Sequence, residues 1–314
     1  MLHFIARRLG FVVLMIVLSS MLIFIATQVL PGDVATMMLG RFATDQAKEN
    51  LREELGLNLP LVAQYTDWLG GFATGDWGDS VSTRAEIRPL VLQRLRNSAM
   101  LAAVAFAIFV PVGILLGLVA ALRRNSWVDQ AISVGSLAFI GLPEFVSAVI
   151  LISIFSIQLG WLPSQSAIDP KSGLWEAFPS LVLPAVTVAL TSLAYIVRMT
   201  RSSTVDVLQT DYVRTARLKG LPPSRVVFTH VLRNSLLPTI TVIAISIGWL
   251  MGGLIVTESV FGYPGLGRLV LFAVQRRDIP LIQVTVMVVV LIYGVSNLIA
   301  DMLYAVLNPR IRYT

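Results

Sequence analysis

Few side chains among these 314 residues could do chemistry, and their settings restrict what that chemistry would be. Two carboxylates, Glu144 and Asp301, stand within long apolar runs, where an ionised group is costly and marks a function by default. Glu144 follows Pro143, whose missing N–H leaves carbonyls free to line a cavity. There the acid could meet a cationic group such as a substrate amino terminus, or pair with a neighbouring helix. Asp301 shares a helical face with Asn297, one turn earlier, and reads as a packing residue or the partner of a nearby arginine. The two histidines, His3 and His230, have no ligand spacing, and neither H-E-x-x-H nor G-x-S-x-G occurs. None of the three lysines, Lys48, Lys171 and Lys219, follows a glycine, so no phosphate-binding G-x-x-x-x-G-K-[ST] loop is present. The pattern suits binding and conduction rather than bond-making, and any ATPase driving it would be another polypeptide.

The most distinctive polar stretch is DYVRTARLKGLPPSRVVFTHVLRNSLLP, Asp211 to Pro238. Val205, Leu208, Tyr212, Ala216 and Lys219 recur at three- and four-residue steps and predict a helix over Val205–Lys219. Lys219-Gly220 supplies its end and Pro222-Pro223 forbids continuation. Ser224 then caps a second helix over Ser224–Asn234, which leads to the apolar run from Leu236. A basic juxtamembrane loop attracting anionic lipid explains the charge, but not two capped helices about a fixed break. That arrangement predicts a handle for a soluble partner.

A second unusual segment, Thr257–Pro280 (TESVFGYPGLGRLVLFAVQRRDIP), carries Glu258, Phe261, Tyr263 and the turn Pro264-Gly265, followed by Arg276-Arg277-Asp278. It reads either as a loop reaching toward a ligand carrier or as an aromatic belt with snorkelling arginines.

The elements that hold these residues are membrane spans. The chain is 56% hydrophobic and 13% charged with mean hydropathy +0.78, against about 25% charge in soluble domains. Six apolar segments predict helices: Phe11–Leu30, Ala99–Leu122, Ala131–Leu159, Ser180–Val197, Leu236–Thr257 and Leu281–Leu307. The third and sixth are long enough to tilt or to extend past the bilayer. Phe11–Leu30 exceeds a usual signal-peptide core and lacks a small-residue cleavage site, so it is read as a retained span. With the N-terminus inside, cytoplasmic segments hold thirteen Arg/Lys and the short outer loops four, which places both termini and Asp211–Pro238 in the cytoplasm. The net charge of +6 therefore needs no nucleic acid. Absence of cysteine excludes disulfides and thiolate metal sites. In the long outer loop, Thr44–Leu55 predicts a short amphipathic helix, LGLNLP and GDWGDS predict turns, and Glu86–Asn97 predicts an interfacial helix. Proline and glycine interrupt several spans, at Pro111, Gly113, Pro143, Pro184, Gly248, Gly252 and Gly253, which suits a bundle that moves.

These residues carry a resemblance. DYVRTARLKGL…HVLRNSLLP is similar to the cytoplasmic "EAA" loop of ABC importer permeases, in the oligopeptide/dipeptide branch and its first permease type. Arg214, Thr215 and Ala216 stand where the broad pattern has Glu-Ala-Ala, six residues before Gly220; His230, Leu232 and Arg233 stand where it has Ile-x-Leu-Pro. Both departures belong to the peptide branch. LPGD at Leu30–Asp33, LGLNLPLVAQY, GDWGDS, VTESVFGYPGLG and DMLYAVLNPRIRY extend the likeness along the chain.

The resemblance implies an all-helical polytopic protein of the bacterial inner membrane with the type I importer permease fold. Residues 1–96 would hold the first span and outer loop, 97–303 the shared core of five spans, and 304–314 a cytoplasmic tail. It implies a non-catalytic subunit, paired with a second permease, two cytoplasmic ATPase modules that bind ATP and Mg, and an extracytoplasmic solute-binding protein. No cofactor would reside in this chain, and membrane lipid would surround it. Contact with the ATPase would fall to Asp211, Tyr212, Arg214, Thr215, Ala216, Lys219, Gly220, His230, Arg233 and Asn234. Pro143, Glu144, Gly252 and Gly253 would line the path. Glu258, Phe261, Tyr263, Pro264, Gly265 and Arg276 would face the binding protein. The implied cargo is short peptides; nickel, glutathione, opine or sugar-type cargo would use the same machine. A proton-coupled secondary transporter would instead need more embedded carboxylates and an inverted repeat, and neither is found.

Overall fold

The computed structural model describes residues 2–29, 39, 43–54, 58–167 and 174–307. The Leu30–Asp33 motif, Lys171 and the basic tail from Asn308 lie outside the described residues. Eleven α-helices are labelled here in chain order: α1 Leu2–Val29, α2 Asp45–Glu54, α3 Leu61–Thr74, α4 Ile87–Leu122, α5 Trp127–Gly141, α6 Glu144–Leu151, α7 Leu174–Leu208, α8 Asp211–Leu218, α9 Leu232–Val260, α10 Leu266–Arg276 and α11 Ile279–Leu307. Among the described residues, five helical stretches are long and apolar enough to cross a membrane, and the pair Trp127–Gly141 with Glu144–Gln158 makes a sixth if counted as one bent span.

That bend corrects one expectation. Ala131–Leu159 is not a single tilted span, because α5 and α6 meet at 108°. Pro143 has no N–H to continue the ladder, and it holds Leu142 in extended backbone (φ −86°, ψ 127°). Beyond α6 the helix widens into π-helical turns over Ile152–Gln158. By contrast, Pro111 in α4, Pro179 and Pro184 in α7 and Pro238 in α9 are carried within continuous helices. The expected interfacial helix Glu86–Asn97 is likewise no separate element. No proline or glycine falls between Asn97 and Ala99, so it runs on as the first turns of α4, through the boundary expected at residue 97.

The centre of the bundle is the contact between α4 and α7. Leu101, Ala105 and Phe109 of α4 pack on Leu181, Ala185 and Ile196 of α7, all fully buried. Gly113 and Gly117, four apart, bring the two backbones together: a Cβ on Gly117 would lie 2.7 Å from the Val197 carbonyl oxygen and 2.7 Å from Thr200 Cβ. This is the small-xxx-small contact that membrane helices use for close approach. Near the same end, Arg201 of α7 grips Asp129 of α5 through two hydrogen bonds, Nε to Oδ1 at 2.5 Å and Nη2 to Oδ2 at 2.7 Å. Helix α9 closes on α7 through Thr200–Thr239 hydroxyls (3.1 Å) and Ser203 Oγ donating to the Ser235 carbonyl (2.6 Å).

Helix α1 lies at the periphery against α11. Met15 and Val12 fit over Gly294, Gln283 donates to Thr27 Oγ1 at 2.8 Å, and Arg8 pairs with Asp301 at 2.9 Å, as expected for Asp301. The outer loop is more structured than its turn-rich pieces foretell. Between them stands α3, ended by Gly75 in the left-handed region (φ 83°), and an aromatic series Phe24, Tyr65, Trp68, Phe72, Trp77 ties α1 to α3 and on to the segment after it.

The two close-approach glycines generate a graded test. Gly117→Ala forces a methyl against backbone and should destabilise the protein by about 1–3 kcal/mol. Gly113→Ala meets the buried, β-branched Ile196 at Cγ2 (2.8 Å) and Cβ (2.9 Å) rather than backbone, and should also lower stability. Gly135→Ala, with nothing within 4 Å, should leave stability unchanged or slightly raised. Thermal unfolding in detergent should order the midpoints accordingly; three equal midpoints would contradict the packing.

Candidate functional site

The residues singled out by sequence gather at the two ends of α9. The cytoplasmic end is built on α8. Helix α7 ends at Leu208 and α8 starts only at Asp211, with Thr210 extended between them (ψ 150°) and its hydroxyl turned back to the Val207 carbonyl at 2.6 Å. The expected Val205–Lys219 helix is therefore two helices, separated where Thr210 takes extended backbone. After α8 the chain turns at Gly220 (φ 76°), where the Gly220 N–H reaches the Arg217 carbonyl and the Leu221 N–H the Ala216 carbonyl. It re-enters helix at Pro223, so Ser224 is inside the first turn and does not cap it. Pro223–Arg225, π-helical turns over Val226–Val231 and α9 then follow without a break.

Helix α8 is held by one face only. Val213 and Ala216 are buried with Val226 and Val231, and Val207, Leu208 and Leu221 close the edge. Ala216 thus faces inward, correcting its expected place on the partner face. Exposed instead are Asp211, Tyr212, Arg214, Thr215, Arg217, Lys219 and Gly220, with Leu218 at 81% and Phe228 at 71% exposure. Asn234 donates to the Tyr212 hydroxyl at 2.9 Å, tying α8 to the base of α9; His230 is half-buried beside it and Arg233 is exposed. The result is a short helix presenting a rim of basic side chains around apolar residues that none of the described residues covers. Sequence reading passed over Leu218 and Phe228, which do not follow the buried period; their very departure from it was the signal.

The outer end is built where α9 turns into α10. Glu258, Phe261 and Tyr263 are 0% exposed and Gly265 is buried, so their side chains do not face outward as expected. Ser98 of α4 donates to Glu258 Oε1 at 2.5 Å, and itself accepts from the Leu266 N–H at 2.7 Å. The Arg268 N–H donates to Glu258 Oε2 at 3.0 Å. The Tyr263 hydroxyl donates to the Asn97 carbonyl at 2.6 Å, and Asn97 Nδ2 to the Pro264 carbonyl at 2.8 Å. Burial, reinforced by the neighbouring Glu258 carboxylate, pushes the Tyr263 hydroxyl well above its usual range, so it stays a donor. A Cβ on Gly265 would fall 2.0 Å from Glu258 Oε1. What remains available outside is Pro264, half-exposed, and Arg276, exposed and lying over the Phe272 ring at 5.8 Å.

Two more outer groups complete this end. Asp278, fully buried, accepts from Ser80 Oγ (2.6 Å), Ser82 N–H (2.9 Å) and Ser82 Oγ (2.7 Å), fastening the GDWGDS segment over the start of α11. Sequence reading noted it only at the end of Arg276-Arg277-Asp278 and gave it no role, though an Asp directly before Ile-Pro at a helix start is a recognisable capping signal. Glu144 stands in the first turn of α6, half-exposed, and accepts a hydrogen bond from the Thr257 hydroxyl. Pro143 is exposed beside it, while Gly252 and Gly253 fall within α9. Among the described residues no group of His, Cys, Asp or Glu is arranged to hold a metal ion.

Comparison with known proteins bears on the family and the fold. Residues 113–313 match the family described as the inner membrane component of binding-protein-dependent transport systems, and residues 1–88 match the N-terminal model of such membrane components. The chain is 38% identical over 334 residues to the di/tripeptide transport system permease protein of Pseudomonas aeruginosa, covering 100% of this chain and 99% of that one. It is 38% identical over 314 residues to the glutathione transport system permease protein of Pectobacterium atrosepticum, covering 99% of each. Inward-facing structures of the MetNI methionine ABC transporter share the fold, with a TM-score of 0.54 and 17% identity over 69% of this chain and 94% of the matched one.

The outer lock is testable by itself. Gly265→Ala leaves no room for the Glu258 carboxylate and should break the Ser98–Glu258–Leu266 connection, at a cost of about 2–4 kcal/mol in steric strain and stranded polar groups. Thermal denaturation in detergent should show a markedly lower midpoint, and Gly262→Ala, with only the mobile end of Arg268 at 3.7 Å, a smaller loss caused by its positive φ of 64°. A wild-type midpoint for Gly265→Ala would refute the lock.

Proposed function

Because this chain belongs to the family of inner membrane components of binding-protein-dependent transport systems, we propose that it forms half of the translocation path of an ATP-driven importer of short peptides. A second permease subunit forms the other half, two cytoplasmic ATPase modules hydrolyse ATP, and an extracytoplasmic binding protein delivers the cargo. The observation that carries this reading is α8, a short basic helix on the cytoplasmic side with exposed apolar side chains and no nucleotide-binding motif in its own chain. Tyr212, Arg214, Thr215, Lys219 and Gly220 lie on its exposed surface and meet the ATPase directly, joined there by Leu218 and Phe228. Ala216 acts from behind, by seating the helix.

Short peptides are supported by the di/tripeptide relative, and the glutathione relative, equally similar, supports a second reading of the cargo, itself a tripeptide. Both readings use the same machine. Alternating access needs a two-state bundle and a lever connecting it to a driven partner, and the unbroken helix from Pro223 through α9 supplies that connection.

Leu218→Asp places a charge in the apolar centre of the α8 surface without touching the buried side. It should leave membrane insertion and assembly with the second permease intact. Loss of one such anchor costs about 2 kcal/mol or more of docking, roughly a thirtyfold drop in ATPase affinity. Reconstituted vesicles should then show binding-protein-dependent uptake reduced to a small fraction of wild type. Undiminished ATP-driven uptake would remove α8 from the coupling role, and uptake surviving without ATP would sink the importer reading.

A further inference from the structure

We infer that Glu144 is an anionic subsite at the outer mouth of the bundle, receiving the ammonium group of the transported solute; this rests on the permease reading above. Four other acids set in or against the membrane-embedded helices show why. Asp301 has Arg8 at 2.9 Å and Asp129 has Arg201 at 2.5 Å. Asp278 accepts from Ser80, Ser82 and the Leu281 N–H, and Glu258 accepts from Ser98 and the Arg268 N–H. Glu144, among the described residues, accepts only from the Thr257 hydroxyl and faces no cation. One neutral hydrogen bond returns less than an ionised carboxylate loses at membrane depth, so its attraction is left over for something that arrives.

The surroundings leave room for an arrival. Glu144 opens α6 directly after the 108° break, where Leu142 and Pro143 have left the helical ladder. Phe145 is 53% exposed beside it, an apolar shoulder next to the acid. Gly141, three residues before Glu144, is exposed, and an ideal Cβ there meets nothing within 4 Å. Thr257, fully buried, fixes the carboxylate against the end of α9, one residue from the Glu258 lock. A positioned acid beside apolar surface at the outer mouth suits a solute with a free amino group and an uncharged flank, as in the amino-terminal residue of a short peptide.

The test uses the complete importer in liposomes, with its binding protein loaded to equal occupancy by one of two tripeptides. One has a free amino terminus and the other is the same peptide N-acetylated. The ratio of their uptake rates should fall about tenfold in Glu144→Gln, the size of one charge-assisted hydrogen bond, and be largely kept in Glu144→Asp. An unchanged ratio, or equal slowing of both peptides, overturns the subsite. Loss of the second permease on co-purification of Glu144→Gln also overturns it, by showing that the cation belongs to that partner. Failure of the wild-type importer to take up either peptide would instead count against the cargo reading itself.

Discussion

The hydrogen bonds that converge on Glu258 hold the outer half of this molecule in register. A buried carboxylate stripped of water is strongly unfavourable unless donors replace the lost hydration, and here they come from α4 and from the first turn of α10. Ser98 stands between them, donating to the acid and accepting from the Leu266 N–H, so a single hydroxyl joins three helices. The absence of a side chain at Gly265 gives the carboxylate its place. Tyr263 and Asn97 add a second pair of bonds between the same segments. Once this turn is fixed, α10 and α11 have a defined start, and Asp278 can draw the first outer loop down onto them.

Spans were legible from the sequence because their signal is length and apolarity, which the bilayer imposes on every helix alike. Of the six predicted segments, four fall wholly within single helices, the first does so as far as the described residues run, and the third is divided at Leu142-Pro143. What could not be read was how prolines would act. Pro184 sits inside α7 while Pro143 breaks α5 from α6, and the difference depends on whether neighbouring helices re-satisfy the freed carbonyl. The hinge at Gly220 was legible too, since a positive φ before Pro222-Pro223 follows from local sterics. The inward turn of Ala216 was not, because α8 is too short for periodicity to choose its buried face.

The outer residues show a different limit. Glu258, Phe261 and Tyr263 were picked out as aromatic and acidic groups in an outside loop, and chemistry alone gave no way to tell a ligand-facing cluster from one sealed inside. Arg201 was counted only among the cytoplasmic basic residues and Asp129 was not singled out, yet they form the bidentate pair that fixes α5 to α7. Such pairs add little net stability but constrain which helix meets which. Long-range pairings of this kind, 72 residues apart in the chain, have no local trace.

The continuity of α9 with the turns before it has a geometric consequence. Its 29 residues make a rod of about 43 Å, with the α8 base at one end and Thr257-Glu258 at the other. Tilting such a rod by only about 5° displaces its far end by roughly 4 Å, more than the spread of lengths over which a hydrogen bond survives. A small angular change at the cytoplasmic surface would therefore be magnified into the making or breaking of discrete bonds at the outer mouth.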